Sequence, residues 1–437
     1  MRKLTVKNLS VIKDAKLEFG KITVLIGPQA SGKSLLCKLA FFLARELVTL
    51  AADSILNGNS WDEYLQAAHK DFLSRFSLGK GVASQDTNIT FSSHEYEVSM
   101  VWGDDPNIPR FQFGEMFRQQ YNLMLNGLHE EVPTATGAYV PGGIGSATRR
   151  EDIWVALNRI VSGPVLDGVV YIPSGRSFFA NASKGIAALR IPGIDSITRE
   201  FSGHIQWDPR WKIGLTTTGR GVTDEINRSM TNILQGFVVL DSGVPHFLAS
   251  DGRKLTLDAL STGLQELTPL FNVLEQLIYF REHSVETDLA ADYQPRPEKQ
   301  VTLKPFLYLE EPEASIFPST QYELVKLFAW LASDPILDFD WVITTHSPYI
   351  LTAFNNLIEA GQVARAKPEL KDEVAKLIPE QYWIREGDFK AYAIEDGVLK
   401  SIVAEDTGLV SANYLDKVSE TIGMEFDELL RLGYVES

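Results

Sequence analysis

The octapeptide GPQASGKS, residues 27–34, fits G-x-x-x-x-G-K-[ST] at every fixed position. Glycines in such a loop let successive backbone N–H groups turn inward on a polyphosphate; the residues placed to do so are Gly27, Gln29, Ala30, Ser31, Gly32, Lys33, Ser34 and Leu35. Lys33 is positioned to reach the β and γ oxygens, and the Ser34 hydroxyl to meet Mg²⁺. A chance match in a chain of this length is expected on the order of a few per cent of the time. A plain glycine turn capping a helix is the bland alternative. The flanks argue against it, because the apolar run KITVLI stops at Gly27 and a helical pattern begins at Leu35.

Three other stretches complete a chemistry of phosphoryl transfer. FLYLEEPE (306–313) sets four apolar residues before consecutive carboxylates, as a buried strand does when it delivers acids to a sheet edge. Glu310 falls on the metal side and Glu311 beside the attacking water, so one acid helps hold Mg²⁺ while the other orients or deprotonates the nucleophile. By itself an acid pair at a strand end is a common solvated feature; the phosphate loop is what gives it meaning. WVITTHSPYIL (341–351) places His346 directly after the next buried strand, where an imidazole can donate to a γ-phosphate oxygen or to the water. LSTGLQE (260–266) opens a helix with Ser261 at an N-cap position and Gly263 permitting close backbone approach. Helix N-termini attract anions, although taken alone this segment is better explained as an ordinary capped helix.

The surrounding pattern supplies the elements that must position these residues. Strands are expected over LTVKNL, AKLEF and KITVLI, a helix from 35 to about 50, and a hairpin over 88–103. Between 106 and about 165, helical stretches mix with GAYVPGGIGSAT, read as a surface loop; GVVYIPS (168–174) is a short strand leading to Gly175 and Arg176. A polar helix near 222–235 precedes strands joined by glycine turns, then a helix over about 264–282 and a polar linker over 284–300. The alternation that follows, PFLYLEEPE, a helix and WVITTHSPYIL, implies a parallel sheet and an α/β fold. Arg176 is expected either to reach phosphate or a subunit contact, or to be a surface loop residue, while Asp338 and Asp340 read as solvated acids at a strand entrance.

Composition narrows the function classes. With 44% hydrophobic and 22% charged residues the chain suits a globular protein of two or three domains, and a net charge of −16 repels phosphate backbones and anionic lipid on average. Nucleic-acid contact would have to be local and is left open. A single cysteine, Cys37, excludes an intrachain disulfide or a cysteine zinc cluster and fits a cytoplasmic address. No apolar run of about 18 residues suggests a membrane span, and no internal repeat or long heptad array is present. Residues 361–437 hold 9 basic and 16 acidic side chains, which favours contact with protein over DNA.

In chain order, GPQASGKS, LSTGLQE, FLYLEEPE and TTHSPYIL resemble the Walker A, signature, Walker B and switch-histidine motifs of ABC-type ATPases, at motif level over about residues 1–40 and 245–360. The resemblance implies an ABC-type P-loop fold with a mixed central sheet, an antiparallel N-terminal β-subdomain and an inserted helical subdomain. It also implies an ATP- and Mg²⁺-dependent ATPase. Its expected parts are an N-terminal lobe (1–105), an insert (106–245), a C-terminal lobe (246–360) and an acidic terminal region (361–437). In that family the signature of one subunit closes over ATP held by another, so Ser261 and Gly263 are expected to act on a neighbour's γ-phosphate in a dimer or larger homo-oligomer. Within it, VYIPSGRS, the EEPE acids and the C-terminal YAIEDG and AEDTGLVSANYLD phrases are similar to ATPases of bacterial anti-phage systems related to the overcoming-lysogenization-defect proteins, with PARIS and Septu subunits nearest. That likeness implies a sensor or scaffold controlling a separately encoded effector, a nuclease, in response to a phage protein. A DNA-repair or chromosome-handling ATPase is the alternative. Two departures stand out: Glu310 occupies a position where many relatives carry Asp, and Thr262 and Leu264 replace smaller or more polar signature residues. None of Gln85, Gln112 and Gln119 can be assigned as the family's Q-loop glutamine.

Overall fold

Buried residues interleaved with exposed ones open the chain as β1 (Lys3–Leu9) and β2 (Ile12–Glu18), whereas β3 (Ile22–Ile26) is buried on both faces and so belongs to the middle of a sheet. The structure, a computed structural model, describes residues 2–76, 82–103, 109–127, 146–163, 166–180, 196–205, 221–289, 303–411, 424–428 and 431. After the phosphate loop, α1 (Lys33–Phe41) runs through a π-helical turn at Phe42–Glu46 into α2 (Leu47–Leu56), longer than the sequence pattern indicated. A capping box at Ser60 and Glu63 starts α3 (Trp61–Arg75). The expected hairpin is β4 (Asn88–Ser93) and β5 (Tyr96–Trp102), extended by β6 (Pro109–Phe113).

Helices follow, with one strand among them in the described residues: α4 (Glu115–Gly127), α5 (Ser146–Ser162), β7 (Leu166–Ile172), α6 (Ser177–Ala180), α7 (Ser196–His204) and α8 (Gly221–Leu234). GAYVPGGIGSAT lies, through residue 145, outside the described residues. A small antiparallel sheet of β8 (Gly236–Asp241), β9 (Val244–Ala249) and β10 (Lys254–Thr256) leads into α9 (Thr262–Leu289). The helix continues through 284–289, where a linker was expected. Next come β11 (Leu303–Glu310), α10 (Pro318–Ser333), β12 (Asp340–Thr345), α11 (Pro348–Ala366), α12 (Lys371–Leu377), β13 (Phe389–Glu395) and β14 (Val398–Ser401).

The large sheet has the order β6-β5-β4-β1-β2-β14-β13-β3-β12-β11-β7. Its block β13-β3-β12-β11-β7 is parallel, and β6-β5-β4-β1-β2 is antiparallel, so the expected α/β fold with a mixed sheet and an antiparallel N-terminal part is present. One apolar core joins α1, α2 and α3 to one face, and a second packs α9, α10 and α11 on the other. The sequence pattern indicated no strand within 361–437. Yet β13 pairs with β3 from Phe389↔Ile22 to Ala393↔Ile26, so this acidic region supplies a central strand.

Asp340 departs from its expected solvation. It is buried, paired with Lys304 at 2.8 Å and Arg2 at 3.7 Å, while Asp338 meets Lys21 at 2.6 Å; burial raises the Asp340 carboxyl against the pull of Lys304. β12 is buried along its whole length, so an acid at its first position needs partners from neighbouring segments.

Between α8, β8 and α9, Glu275 lines a cavity of about 20 Å³ with Asn227, Thr231, Phe237 and Thr268, and desolvation raises its carboxyl from 4.5 to about 8. Between those values the folded chain keeps a proton that the unfolded chain has released, so this group's contribution to stability falls as pH rises through that window. Thermal denaturation at about pH 5 and about pH 8 should show Glu275→Gln losing less melting temperature than wild type over the same interval. Equal losses would contradict the assignment.

Candidate functional site

Strand register brings the motif residues to one edge. Ile26 is opposite Thr345, Glu310 opposite Thr344, and Ile172 opposite Leu309, so Gly27, His346, Glu311 and Pro173–Ser174 all emerge together at the C-terminal ends of β3, β12, β11 and β7. Ligands of open parallel sheets bind at this end.

The phosphate loop has the curled backbone its sequence required. Gly32 has φ 101°, a conformation that favours glycine, and a Cβ there would stand 2.4 Å from the Ile12 Cδ1 methyl, which would have to move aside. Ala30 also lies in the left-handed region. Lys33 Nζ donates to the carbonyls of Gly27 at 2.8 Å and Pro28 at 2.9 Å, and to hold phosphate it must turn away from them. Burial lowers the Lys33 pKa, opposed first by Glu311 and then by Glu313. Ser34 and the half-buried Leu35 follow in the first turn of α1, and the next turn brings the buried Cys37, whose thiol is pushed up by burial and by Glu310.

The two neighbouring acids are held differently. Buried Glu310 accepts from the Tyr171 hydroxyl at 2.7 Å through Oε1, and from Ser174 N–H at 3.1 Å and the Ser174 hydroxyl at 3.4 Å through Oε2. Glu311 has φ 42°, a sparsely populated conformation for a side chain of this size, and its N–H donates to Thr344 O at 2.9 Å. That turn swings its carboxylate toward His346, whose Nε2 lies 3.5 Å from Glu311 Oε1; both side chains are about one-third exposed.

Glu313 is a site residue the motif reading passed over. Its Oε1 accepts from His346 N–H at 2.6 Å and from the Thr345 hydroxyl at 2.8 Å, fixing the loop that carries the imidazole. Ser347 is tied by its hydroxyl to Gln321 Oε1 at 2.6 Å. Among the described residues, Ser31 Oγ, Thr344 Oγ1 and Glu313 Oε2 are buried at this edge and make no hydrogen bond. Buried polar atoms of that kind are rare in proteins and suit a polar ligand or ordered water. Glu313 was present in the quoted EEPE, but an acid three residues beyond a strand end carries no spacing signal of its own.

The signature segment reaches the edge indirectly. Ser261 and Thr262 are exposed, and the Ser261 carbonyl accepts from Gln265 N–H at 2.9 Å. Gly263 packs against the chain's own turn: a Cβ there would lie 2.6 Å from Ser315 O. Arg176 is neither a phosphate ligand nor a surface residue. It is fully buried, and its guanidinium donates to the carbonyls of Pro173, Glu310, Glu311 and Glu266. Of the three glutamines, Gln112 sits on the outer strand β6 and Gln119 bonds Glu115 on α4, while Gln85 precedes β4; the strand beside Glu310 is followed instead by Ser174 and Arg176.

Mg²⁺ fits the residues present. A carboxylate offers about four lone-pair directions, and Glu310 uses three of them on Tyr171 and Ser174. With the Ser34 hydroxyl this makes an all-oxygen donor set suited to a hard cation, completed by phosphate oxygens and water.

A family model described as an AAA ATPase domain matches residues 193–351, about a third of the chain; the matched stretch contains Glu266, Glu310, Glu311, Glu313 and His346. No curated protein matches the sequence. Among solved structures, the chain is similar to an Smc head bound to the C-terminal winged-helix domain of ScpA, at 14% identity and TM-score 0.41, covering 92% of this chain and 96% of that one. It is also similar to the SMC head domain from Thermotoga maritima, at 12% and 0.37 over 92% and 98%. The recombination mediator RecF in its ATP complex gives 11% and 0.35 over 91% and 96%. At that level of likeness the chemistry has to be read from the site itself.

Proposed function

We propose that the chain is an ABC-type ATPase that binds ATP at the C-terminal edge of β3, β12 and β11 and hydrolyses it in an assembly of two or more copies. The observation that carries this reading is the convergence of the phosphate loop, Glu310, Glu311 and His346 on one edge, with Glu311 and His346 3.5 Å apart. The AAA ATPase domain match supports the activity.

The loop's N–H groups and the Lys33 ammonium hold the β and γ phosphates, and Ser34 and Glu310 hold the metal side. Bound Mg²⁺ would supply neutralisation of charge on the phosphate oxygens. Glu311 orients a water and takes its proton as the water oxygen bonds the γ phosphorus; the bond from that phosphorus to the β–γ bridging oxygen breaks, leaving ADP and phosphate. His346 Nε2, within reach of Glu311, donates to the γ-phosphate or to the same water.

Exposure of Ser261 and Thr262 at the start of a 28-residue helix suits contact with a second copy. The consequence for the organism is control of a separately encoded effector, a nuclease, in an anti-phage response, with a phage protein as trigger. A net charge of −16 and the motif likeness support this over direct DNA handling. Chains carrying Lys33→Ala and Ser261→Arg should each be inactive, and mixing them should restore part of the ATPase rate, because one of two shared sites is then intact. Mixtures that co-assemble and stay inactive would remove the shared-site model. Strong, salt-sensitive stimulation of the rate by duplex DNA would favour the DNA-handling alternative instead.

A further inference from the structure

Arg176 stands in the turn after β7 and is 0% exposed, an expensive place for a charge unless every donor is met. Its Nη1 donates to Pro173 O at 2.8 Å and Glu310 O at 2.6 Å, its Nη2 to Glu311 O at 3.0 Å, and its Nε to Glu266 O at 3.2 Å. The Glu266 carboxylate answers: Oε2 accepts from Arg176 N–H at 3.0 Å and lies 3.5 Å from Nη2, while Oε1 accepts from Ser177 N–H at 3.2 Å. Glu266 is in the first turns of α9, three residues past Gly263, which itself rests on Ser315 in the turn that follows Glu311.

From this arrangement we propose that Arg176 and Glu266 form a positioning strut. It joins the signature end of α9 to the backbone of Glu310 and Glu311, so that displacement of that helix end is passed to the carboxylate that activates water. The inference rests on the reading of Glu311 given above. Neutralising Glu266 would need only one cation of any shape. Holding two consecutive carbonyls, one of them at the strained φ of Glu311, needs a planar fork, and a guanidinium provides that where an ammonium cannot. The fork is rigid, so a shift of Glu266 cannot be absorbed by the side chain and is handed on to the turn. Neither residue touches the phosphate loop in the contacts above, so both should leave nucleotide affinity alone.

The test is a double-mutant comparison of kcat and ATP affinity. Arg176→Lys should keep ATP affinity within about threefold and lower kcat about 10- to 100-fold, the scale expected when a catalytic group is misplaced by about 1 Å. Glu266→Gln keeps the carbonyl for Nε but loses the bidentate carboxylate, and should show the same split should the arginine variant fold poorly. In a Glu311→Gln background, Arg176→Lys or Glu266→Gln should lower the residual single-turnover rate by less than about twofold, since their route to the reaction is already removed. An equal loss in both backgrounds, an unchanged kcat, or a loss confined to ATP affinity would overturn the strut. If Glu311→Gln by itself turns over like wild type, the assignment of Glu311 is what fails.

Discussion

Glu311→Gln should bind ATP with near-wild-type affinity and hydrolyse it about 10²- to 10⁴-fold more slowly, the range a positioned general base supplies. The amide keeps the shape of the side chain and leaves the phosphate loop untouched, but it can no longer accept a proton. Neither Lys33, on the carbonyls of Gly27 and Pro28, nor Glu310, held by Tyr171 and Ser174, depends on the Glu311 side chain for its place. Binding and turnover should therefore separate, and ATP-bound assemblies should accumulate. Phosphate release measured under single-turnover conditions decides it; a rate within twofold of wild type would move the proton acceptor to another acid at this edge, such as Glu313 on the His346 backbone.

Lys33→Ala should have the opposite signature, losing binding first. Each charge-assisted hydrogen bond from an ammonium to phosphate is worth about 1.5–3 kcal/mol, so removing those to the β and γ oxygens should weaken ATP binding at least about tenfold and abolish turnover. The loss should exceed the simple deletion of one contact, because Lys33 also lies in the field of Glu311, Glu313 and Glu310, and without it the incoming triphosphate meets those carboxylates with one cation fewer to offset them. Fluorescent-nucleotide titration would check this; wild-type affinity in the variant would show that the octapeptide is not the nucleotide site.

The phosphate loop, the order of its flanking strand and helix, and the three residues Glu310, Glu311 and His346 were legible in the sequence because each follows a short apolar run that ends abruptly. A buried strand announces where its edge lies, and polar residues just past that edge are exposed to chemistry. Arg176 and Glu266 were not legible, because their partners are four main-chain carbonyls and two main-chain N–H groups that no residue type encodes. Strand β13 was missed for a different reason. FKAYAIE lies in a terminal region whose charge balance suggested a surface, and its neighbour in the sheet, β3, is more than 350 residues earlier. Glu313 was read as part of an acidic run, although its carboxylate turns back to hold the His346 backbone.

The most direct measurement is the experimental structure of the Glu311→Gln chain grown with ATP and Mg²⁺. The triphosphate should lie in the loop of residues 27–34. Lys33 Nζ should have left the carbonyls of Gly27 and Pro28 for the β and γ oxygens, Ser34 and Glu310 should stand on the metal side, and His346 should stand beside the γ-phosphate. Nucleotide bound elsewhere, or bound in the loop with Lys33 still on its own carbonyls, would contradict the account.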